Sequence, residues 1–328
     1  MEPASELTPE LRAFVEFVAK KGRELYRDLP WRRTYDPYAI WISEVMLQQT
    51  QVSRVDGRWQ RWLERFPTVD ALAATAPSDV LEEWQGLGYN RRALSVHRAA
   101  QAISEAGGIF PQDPKELVKL PGIGPATAAG IRAFAFNLHG VYLETNVRTV
   151  FLHELYPQAE GVPDSELVPL VELTCPASVE DAADADSAAN VVSADSAANV
   201  ADAVNVADAD STENDATAEL TPRSWYYALL DYGAYLKKTI PNPSRRSKSH
   251  VKQSRFEGSH RQKRAELLRV LLAHKDEGGA VFETLHQELC QIEVNAGRET
   301  LDEQVTLGLL EELAKEGFCQ KNNEYWLP

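Results

Sequence analysis

Apolar residues recur at helical spacing from Pro9 to about Tyr156. Alternating patterns typical of strands are almost absent there, so this part of the chain predicts a series of amphipathic helices. Three helix starts carry a capping residue followed by proline, at Thr8-Pro9, Asp36-Pro37 and Asp113-Pro114. Side-chain oxygens at such positions accept first-turn amides, and proline suits the first helical residue. The pattern predicts an all-α core.

The helical pattern stops near Pro176 and resumes at Ser224. Residues 176–219 consist mainly of Ala, Asp, Ser, Asn and Val, and ADSAANV occurs at both 185–191 and 194–200. Such a segment buries too little apolar area to offset the entropy of ordering it. We expect an acidic, low-complexity disordered insertion rather than a solvated acidic helix. The core then comprises residues 1–175 plus 220–240.

Two further segments follow the core. Residues 237–264 hold ten Lys or Arg and one acid in a Pro- and Ser-rich stretch, which predicts a basic linker. In residues 262–328 we expect helices near 262–274, 281–291 and 300–316, then the short alternating tail FCQKNNEYWLP. Three helices followed by a hairpin are typical of a winged-helix domain. A small helical bundle with a strand-like tail is the alternative.

The net charge of −15 does not exclude a nucleic-acid partner. Eleven acids and no Lys or Arg lie between Pro176 and Pro222, so the rest of the chain carries only about −4. Cys175, Cys290 and Cys319 lack the paired spacing of disulfide frameworks and metal sites. No apolar run approaches the length of a membrane span. We expect a cytoplasmic protein with no membrane contact.

The run LPGIGPATAAGI, residues 120–131, is the strongest short motif. Gly122 and Gly124 relieve a tight turn of Cβ clashes, so that the amides at the start of the next helix can face a phosphate. Contacts of this kind hold DNA without reading its sequence. The motif predicts DNA-backbone binding at Gly122, Gly124 and Thr127. An ordinary helix–helix turn is the alternative.

Four motifs together resemble one family. They are LPWRRTYDPYAIWISEVMLQQTQV at 29–52, WQGLGYNRRA at 84–93, LPGIGPATA at 120–128 and LETNVRTV at 143–150. In order and rough spacing they resemble the MutY adenine glycosylases of the helix-hairpin-helix DNA glycosylase superfamily, and SEVMLQQTQV is especially characteristic. The resemblance implies an all-α helix-hairpin-helix glycosylase core of two helical lobes, here followed by the C-terminal winged-helix-like module.

The resemblance also implies two catalytic carboxylates. It assigns Glu44, in SEVMLQQT, the protonation of the leaving adenine and assistance to water, because the departing base must be neutralised by an acid. The alternative is a solvent-facing helical glutamate. The family's second carboxylate is an aspartate in a pattern like LDGNV, where this chain has Glu144 in LETNV. The extra methylene moves the carboxylate by roughly 1.5 Å. We predict that Glu144 stabilises the sugar cation; the alternative is a helix-cap or buried hydrogen-bond role beside Asn146.

Relatives that also cut the DNA strand, such as endonuclease III, carry a lysine nucleophile in the hairpin motif, where this chain has Ala126. Without an amine no Schiff base with the sugar can form at that position. The resemblance therefore implies a monofunctional enzyme that leaves the abasic site uncut.

An enzyme that acts on a stacked base has to flip it out of the duplex and fill the gap. By resemblance, Gln49 and Tyr89 are the predicted wedge, with Gln48 beside them. Arg27, Leu29, Trp31 and Asp231 are assigned to the base pocket, and Asn146, Arg148, Arg245, Arg246, Lys248 and Lys252 to the DNA backbone. The simple alternatives are core aromatics for Trp31 and Tyr89 and a surface charge for Asp231.

The resemblance fails in two places. Most relatives follow the helix corresponding to LLDYGA with four closely spaced cysteines that hold an iron–sulfur cluster. Residues 235–253 hold no cysteine here, so we expect no cluster, no metal and no other cofactor. The basic linker could take over the DNA-backbone contact of the cluster region, or remain a solvated linker. Relatives also typically end in a domain resembling nucleotide hydrolases, which reads 8-oxoguanine, where this chain has the winged-helix-like module. Its predicted helix 300–316 binds duplex DNA or, given its glutamates, packs against a partner or the core.

These observations predict a DNA glycosylase of base excision repair that acts on duplex DNA containing a mispaired or damaged base. The expected target is adenine opposite 8-oxoguanine or guanine. Two alternatives remain open: the same fold acting on thymine, uracil, hypoxanthine or another damaged base, and a non-catalytic DNA-damage binding protein.

Overall fold

The computed structural model describes residues 7–177, 219–249 and 255–328. Most of the predicted insertion at 176–219 lies outside the described residues, as does Lys252. The helices up to the hairpin motif are α1 Pro9–Glu24, α2 Pro37–Leu47, α3 Val52–Val55, α4 Arg58–Arg65, α5 Val69–Ala74, α6 Pro77–Trp84, α7 Arg91–Glu105 and α8 Pro114–Leu117. The remaining elements are α9 Pro125–Phe136, α10 Thr145–Glu154, α11 Asp164–Thr174, α12 Pro222–Thr239, α13 His260–Ala273, β1 Ala280–Val281, α14 Phe282–Asn295, α15 Glu303–Glu316, β2 Gln320–Asn322 and β3 Tyr325–Leu327. Short 3-10 turns lie at Pro30–Arg32, Pro243–Arg246 and Lys275–Glu277.

The three helix starts predicted from capping residues are confirmed. Thr8 Oγ1 accepts a hydrogen bond from the Leu11 amide at 3.3 Å, and Asp113 accepts one from the Lys115 amide at 2.8 Å. The Asp36 carboxylate accepts from two amides in the first turn of α2, at 3.1 and 3.2 Å. In each case a proline follows the cap, so the local sequence alone determines where these helices begin.

The chain forms two compact units, each built from two separate stretches. The first unit comprises Met1–Ile40 and Gly124–Val251. Its central helix is α12, which packs against α10 and α1. A Cβ at Gly22 would lie 2.2 Å from the Ala228 Cβ, and one at Gly233 would lie 2.3 Å from the Asn146 carbonyl oxygen. Glycine at these positions lets α1 and α10 approach α12 closely.

Aromatic side chains fill the core of the first unit. The rings of Phe14 and Phe151 meet edge to face at 5.1 Å, and those of Phe134 and Tyr227 stack at 4.7 Å. Trp225 is completely buried. Large aromatic rings contribute much of the apolar area of such a core, so α12 is firmly held between its neighbours.

The second unit comprises Trp41–Ile123 and Lys252–Pro328. Helices α5 and α6 pack on α7, and α13 packs on α14, α15 and α6. Strands β1, β3 and β2 form an antiparallel sheet in that order, in which Trp326 pairs with Ala280 on one side and Lys321 on the other. The three predicted C-terminal helices and the predicted hairpin are confirmed, whereas β1 was not predicted. The winged-helix interpretation of this arrangement stays a prediction.

Among the residues that the structure describes, no helix has both the length and the apolar character needed to cross a bilayer.

Candidate active site

Glu44 lies near the end of α2, in the part of this helix that belongs to the second unit. Its neighbours Trp41, Ile42, Val45 and Met46 are at most 3% exposed, and Glu44 itself is partly buried. It is the only charged residue of α2. Acids are among the residues least often placed in such surroundings. The catalytic role of Glu44 stays a prediction, with a solvent-facing glutamate as the alternative.

Glu144 is the N-cap of α10, in the first unit. Its Oε1 accepts hydrogen bonds from the amides of Asn146 at 2.6 Å and Val147 at 3.1 Å. The helix-cap role weighed as the alternative is therefore present. Amides at a helix N-terminus also favour the anionic form of a carboxylate and fix its direction. The cap is thus compatible with an electrostatic role.

Lys237, on α12, carries the opposite charge near Glu144. Burial raises the pKa of Glu144, while the positive charge of Lys237 and the amides of Asn146 and Val147 act in the other direction. Burial likewise lowers the pKa of Lys237, and the charge of Glu144 opposes that change. Sequence reasoning missed this residue, because it stands in the basic run and was counted with the linker.

Asp231, predicted for the base pocket, is enclosed by two arginines. Its side chain is completely buried, and Arg32 donates to both of its carboxylate oxygens, at 2.7 and 2.9 Å. Arg27 donates from Nε at 2.5 Å and from its amide at 3.2 Å. Asp231 therefore anchors the segment between α1 and α2, which argues against a direct contact with a base. The base-pocket role stays a prediction, whereas the alternative of a surface charge is wrong.

The same segment is fixed a second time by Arg223 of α12. Its guanidinium donates to the carbonyl oxygens of Arg32 at 2.6 Å and Thr34 at 3.0 Å, and also to that of Phe134. Trp31 is only 4% exposed, which leaves little of its ring for a base, and Leu29 is partly buried. Of the predicted pocket residues, Arg27 and Asp231 are thus brought into direct contact within the first unit.

The predicted wedge residues share an unusual backbone conformation. Gln49 has a φ of 53° and Tyr89 one of 49°, in the left-handed region that few non-glycine residues adopt. Both residues are exposed and both lie in the second unit, and Gln48 is partly buried. Tyr89 is 44% exposed, so the alternative of a core aromatic is wrong for it.

The hairpin motif needs one of its two glycines for its shape. Gly122 has a φ of 78°, and a Cβ there would lie 2.6 Å from the Ser95 Cβ. Gly124, the N-cap of α9, has an ordinary φ of −87°, and a Cβ there would meet nothing within 4 Å. The expected relief of a clash is therefore wrong for Gly124, where a Cβ would have room. Thr127 is only 8% exposed.

Two of the arginines predicted to contact the DNA backbone are used inside the fold. Arg148 forms a two-point ion pair with Asp164, at 3.0 and 2.9 Å. Arg246 donates to the carbonyl oxygens of Leu152 at 2.8 Å and Tyr156 at 2.5 Å, so it caps the end of α10. These contacts argue against a phosphate role for either guanidinium. Arg245 and Lys248 are exposed, and Asn146 is partly buried.

The region after α12 does not fit an iron–sulfur cluster. The sequence has three cysteines in all, and none lies between Lys237 and Ser249. A four-thiolate ligand set cannot be assembled from them. Instead, the main chain of this region pairs with Val162, whose amide donates to the Arg246 carbonyl at 3.1 Å and whose carbonyl accepts from the Lys248 amide at 3.0 Å.

Comparison with known proteins identifies the fold. The profile of the HhH-GPD superfamily base excision DNA repair protein matches residues 42–213. The solved structure of a thermostable thymine-DNA glycosylase superposes with a TM-score of 0.52 at 19% identity, covering 71% of this chain and 90% of that one. This likeness shows a shared fold, and the predicted helix-hairpin-helix glycosylase fold is confirmed.

Curated adenine DNA glycosylases are similar to part of the chain. The protein of Mycolicibacterium smegmatis is 41% identical over 152 residues, which are 46% of this chain and 52% of the relative. Those of Mycobacterium tuberculosis and Homo sapiens are 40% and 38% identical, over 42% and 38% of this chain and 46% and 24% of their own length. The chain thus spans about half the length of the bacterial relatives or less. Because the superfamily profile matches more than half of the sequence, this chain belongs to the HhH-GPD superfamily of base excision DNA repair proteins.

Proposed function

We propose that this chain is a monofunctional DNA glycosylase that removes adenine mispaired with guanine or 8-oxoguanine from duplex DNA. Membership of the superfamily and the sequence identity with adenine DNA glycosylases support the proposal. The observation that carries it is the setting of Glu144, a carboxylate held by two helix amides and faced by the charge of Lys237. A fixed anion of this kind suits a reaction that develops positive charge on a sugar.

The proposed reaction divides the work between the two glutamates. Glu44 donates its proton to the adenine ring, and the bonding electrons of the N-glycosidic bond leave with the base. The anion of Glu144 stabilises the oxocarbenium-like sugar that remains. Water then adds to C1′ and gives its proton to Glu44, which restores the acid. The products are free adenine and an abasic site in an uncut strand.

Several residues serve DNA binding in this proposal. The amides at the start of α9 and the exposed side chains of Arg245 and Lys248 contact backbone phosphates in this proposal. Gln49 and Tyr89 enter the base stack. We further propose that the protein works as a monomer without a cluster or metal, in the cytoplasm at the nucleoid.

A panel of duplexes tests the substrate. Adenine opposite 8-oxoguanine or guanine should be released, and the strand should break only after alkali treatment, because Ala126 offers no amine for strand cleavage. Strand cleavage without alkali would contradict the proposal that the enzyme leaves the abasic site uncut. Release of thymine, uracil or hypoxanthine instead of adenine would replace the proposed substrate.

A matched pair of variants tests the acid. Glu44→Gln should lower the single-turnover rate of base release by about 100-fold or more while duplex binding is retained, because the amide cannot protonate the base. Glu105→Gln, at an exposed position of the same unit, should leave the rate unchanged. Equal rates for both variants and the wild type would exclude Glu44 as the acid. Binding without release by the wild type would indicate a damage-binding protein.

A further inference from the structure

Two turns of the second unit each present an exposed side chain from a strained backbone. The Gln49 turn, residues 48–50, follows α2, and the Tyr89 turn, residues 85–89, joins α6 to α7. Gln49 and Tyr89 both have a left-handed φ. A non-glycine residue holds that conformation only where its surroundings determine it strongly. Some contact must therefore fix both turns.

Arg92, in the first turn of α7, reaches both of them. Its Nη1 donates to carbonyl oxygens at the end of α2 and in the Gln49 turn: Val45 at 2.7 Å, Met46 at 3.1 Å and Gln48 at 2.7 Å. Its Nη2 donates to Thr50 Oγ1 at 3.1 Å and to the Tyr89 turn, at Leu87 O 3.2 Å and Gly88 O 2.9 Å. One rigid guanidinium thus joins two turns that are far apart in sequence.

The acceptors of Arg92 are all neutral. Among the described residues no carboxylate forms an ion pair with it, and burial lowers its pKa to about 10, which leaves it charged at neutral pH. Carbonyl oxygens at a helix C-terminus carry partial negative charge and lack partners within the helix. A planar fork of donors matches several such oxygens at once. The guanidinium therefore fixes the positions of these oxygens by hydrogen bonds and does not neutralise a nearby carboxylate.

Two neighbouring arginines provide a contrast. Arg54 donates to the Gly86 carbonyl and Arg58 to the Gln85 carbonyl, so each of them holds the Tyr89 turn. Their hydrogen bonds do not extend to the Gln49 turn. Replacing Arg58 should loosen the Tyr89 turn alone. Replacing Arg92 should loosen both turns and allow them to move independently of each other.

We propose that Arg92 is a positioning residue that fixes the Gln49 turn relative to the Tyr89 turn, so that both side chains enter the base stack together. The inference rests on the proposed function. Base flipping costs free energy because a base is unstacked. Two side chains fixed in advance lose less freedom on entering the gap than two independent turns.

Hydrogen exchange of the free protein tests the link itself. Arg92→Lys keeps the charge but loses the fork, so amide exchange should quicken in both turns. Arg58→Lys should quicken exchange only in the Tyr89 turn. Thr50→Val, a milder change at the same joint, should reproduce the Arg92→Lys pattern at smaller amplitude and serves if Arg92→Lys does not fold. Unchanged exchange in the Gln49 turn of the folded variants would overturn the proposal.

A double-mutant cycle tests whether the link acts through the two side chains. In single-turnover assays on a duplex with adenine opposite guanine, Arg92→Lys should slow release by about tenfold or more. In a Gln49→Ala/Tyr89→Ala background, Arg92→Lys should slow release by less than about twofold. An equal effect in both backgrounds would overturn the proposed role. Absence of adenine release by the wild type would refute the proposed function, and hydrogen exchange would still decide whether Arg92 joins the turns.

Discussion

At the scale of single residues, Glu144 and Lys237 lie in surroundings that oppose the charge of each. Burial favours the neutral form of both side chains, and each favours the charged form of the other. The amides of Asn146 and Val147 add to the stabilisation of the carboxylate. The ionisation of Glu144 should therefore depend on the charge of Lys237, and this dependence can be measured.

Lys237→Met should move the acidic limb of the pH–rate profile to higher pH. Burial already raises the pKa of Glu144 above its ordinary value of 4.5. In the proposed reaction this carboxylate must be ionised, so activity should be lost as the pH falls through that pKa. Removing the positive charge raises that pKa further. The measurement is the single-turnover rate as a function of pH. Lys238→Met, at the exposed neighbouring position, should leave the limb in place; a shift to lower pH in Lys237→Met would contradict the argument.

Local sequence was sufficient for some residue roles and not for others. The caps at Thr8, Asp36 and Asp113 depend on neighbours in the chain, and the structure confirms them. Arg92 and Lys237 were missed because the Gln49 turn that Arg92 binds and the Glu144 that faces Lys237 are distant from them in sequence. An arginine in a basic run does not reveal whether its guanidinium meets carbonyl oxygens or solvent.

At the scale of elements, α12 organises the segment that joins α1 to α2. Asp231 binds Arg27 and Arg32, and Arg223 binds the main chain of the same segment. The pair between Arg32 and Asp231 is almost entirely shielded from solvent. Charges buried in this way depend on each other, since a single partner left behind is uncompensated.

Asp231→Asn should lower the free energy of unfolding by about 3–5 kcal/mol, because two arginines lose their counter-ion. Asp28→Asn breaks the pair between the side chains of Asp28 and Arg33, which are 57% and 62% exposed. It should cost far less, because solvent already screens this pair. Urea titrations of the two variants provide the comparison. Similar losses of unfolding free energy for both variants would show that the buried ion-pair network adds little to stability.

The elements themselves were largely predictable, but their environments were not. The helical period and the caps predicted α1, α2 and α8, and the C-terminal helices followed from the same pattern. Strand β1 has two residues, too few to produce an alternating pattern, and exists because it pairs with β3. The surroundings of Asp231 could not be predicted, because a helical carboxylate looks the same in sequence whether it faces arginines, a ligand or water.

At the scale of the whole molecule, charged side chains join the C-terminal helices to the rest of the second unit. Glu316 of α15 binds Arg91 of α7 at 2.7 Å and Arg264 of α13 at 2.7 Å. Lys275 binds Asp79 at 2.8 Å and Glu82 at 2.5 Å. Two stretches that are far apart in the chain therefore form one compact unit. The order of the segments in the sequence did not predict this unit.

Glu316 should make the stability of this unit depend on pH. Arg91 and Arg264 lower the pKa of Glu316 to about 2 from 4.5, so its contribution is present above pH 4.5 and is lost as the pH falls towards 2. Glu316→Gln should therefore destabilise the protein near pH 7, and the difference from the wild type should narrow across that window. Denaturant titrations at several pH values measure it. Glu311→Gln, at an exposed position of α15, should show no such trend; a constant difference for Glu316→Gln would contradict the assignment.

The closure of the region after α12 has a consequence for how the protein matures. Arg246 caps α10, and the main chain beside it pairs with Val162. Every atom of this closure leaves the ribosome with the polypeptide. Completion of the contacts made by Arg246 and Val162 therefore requires only the translated chain.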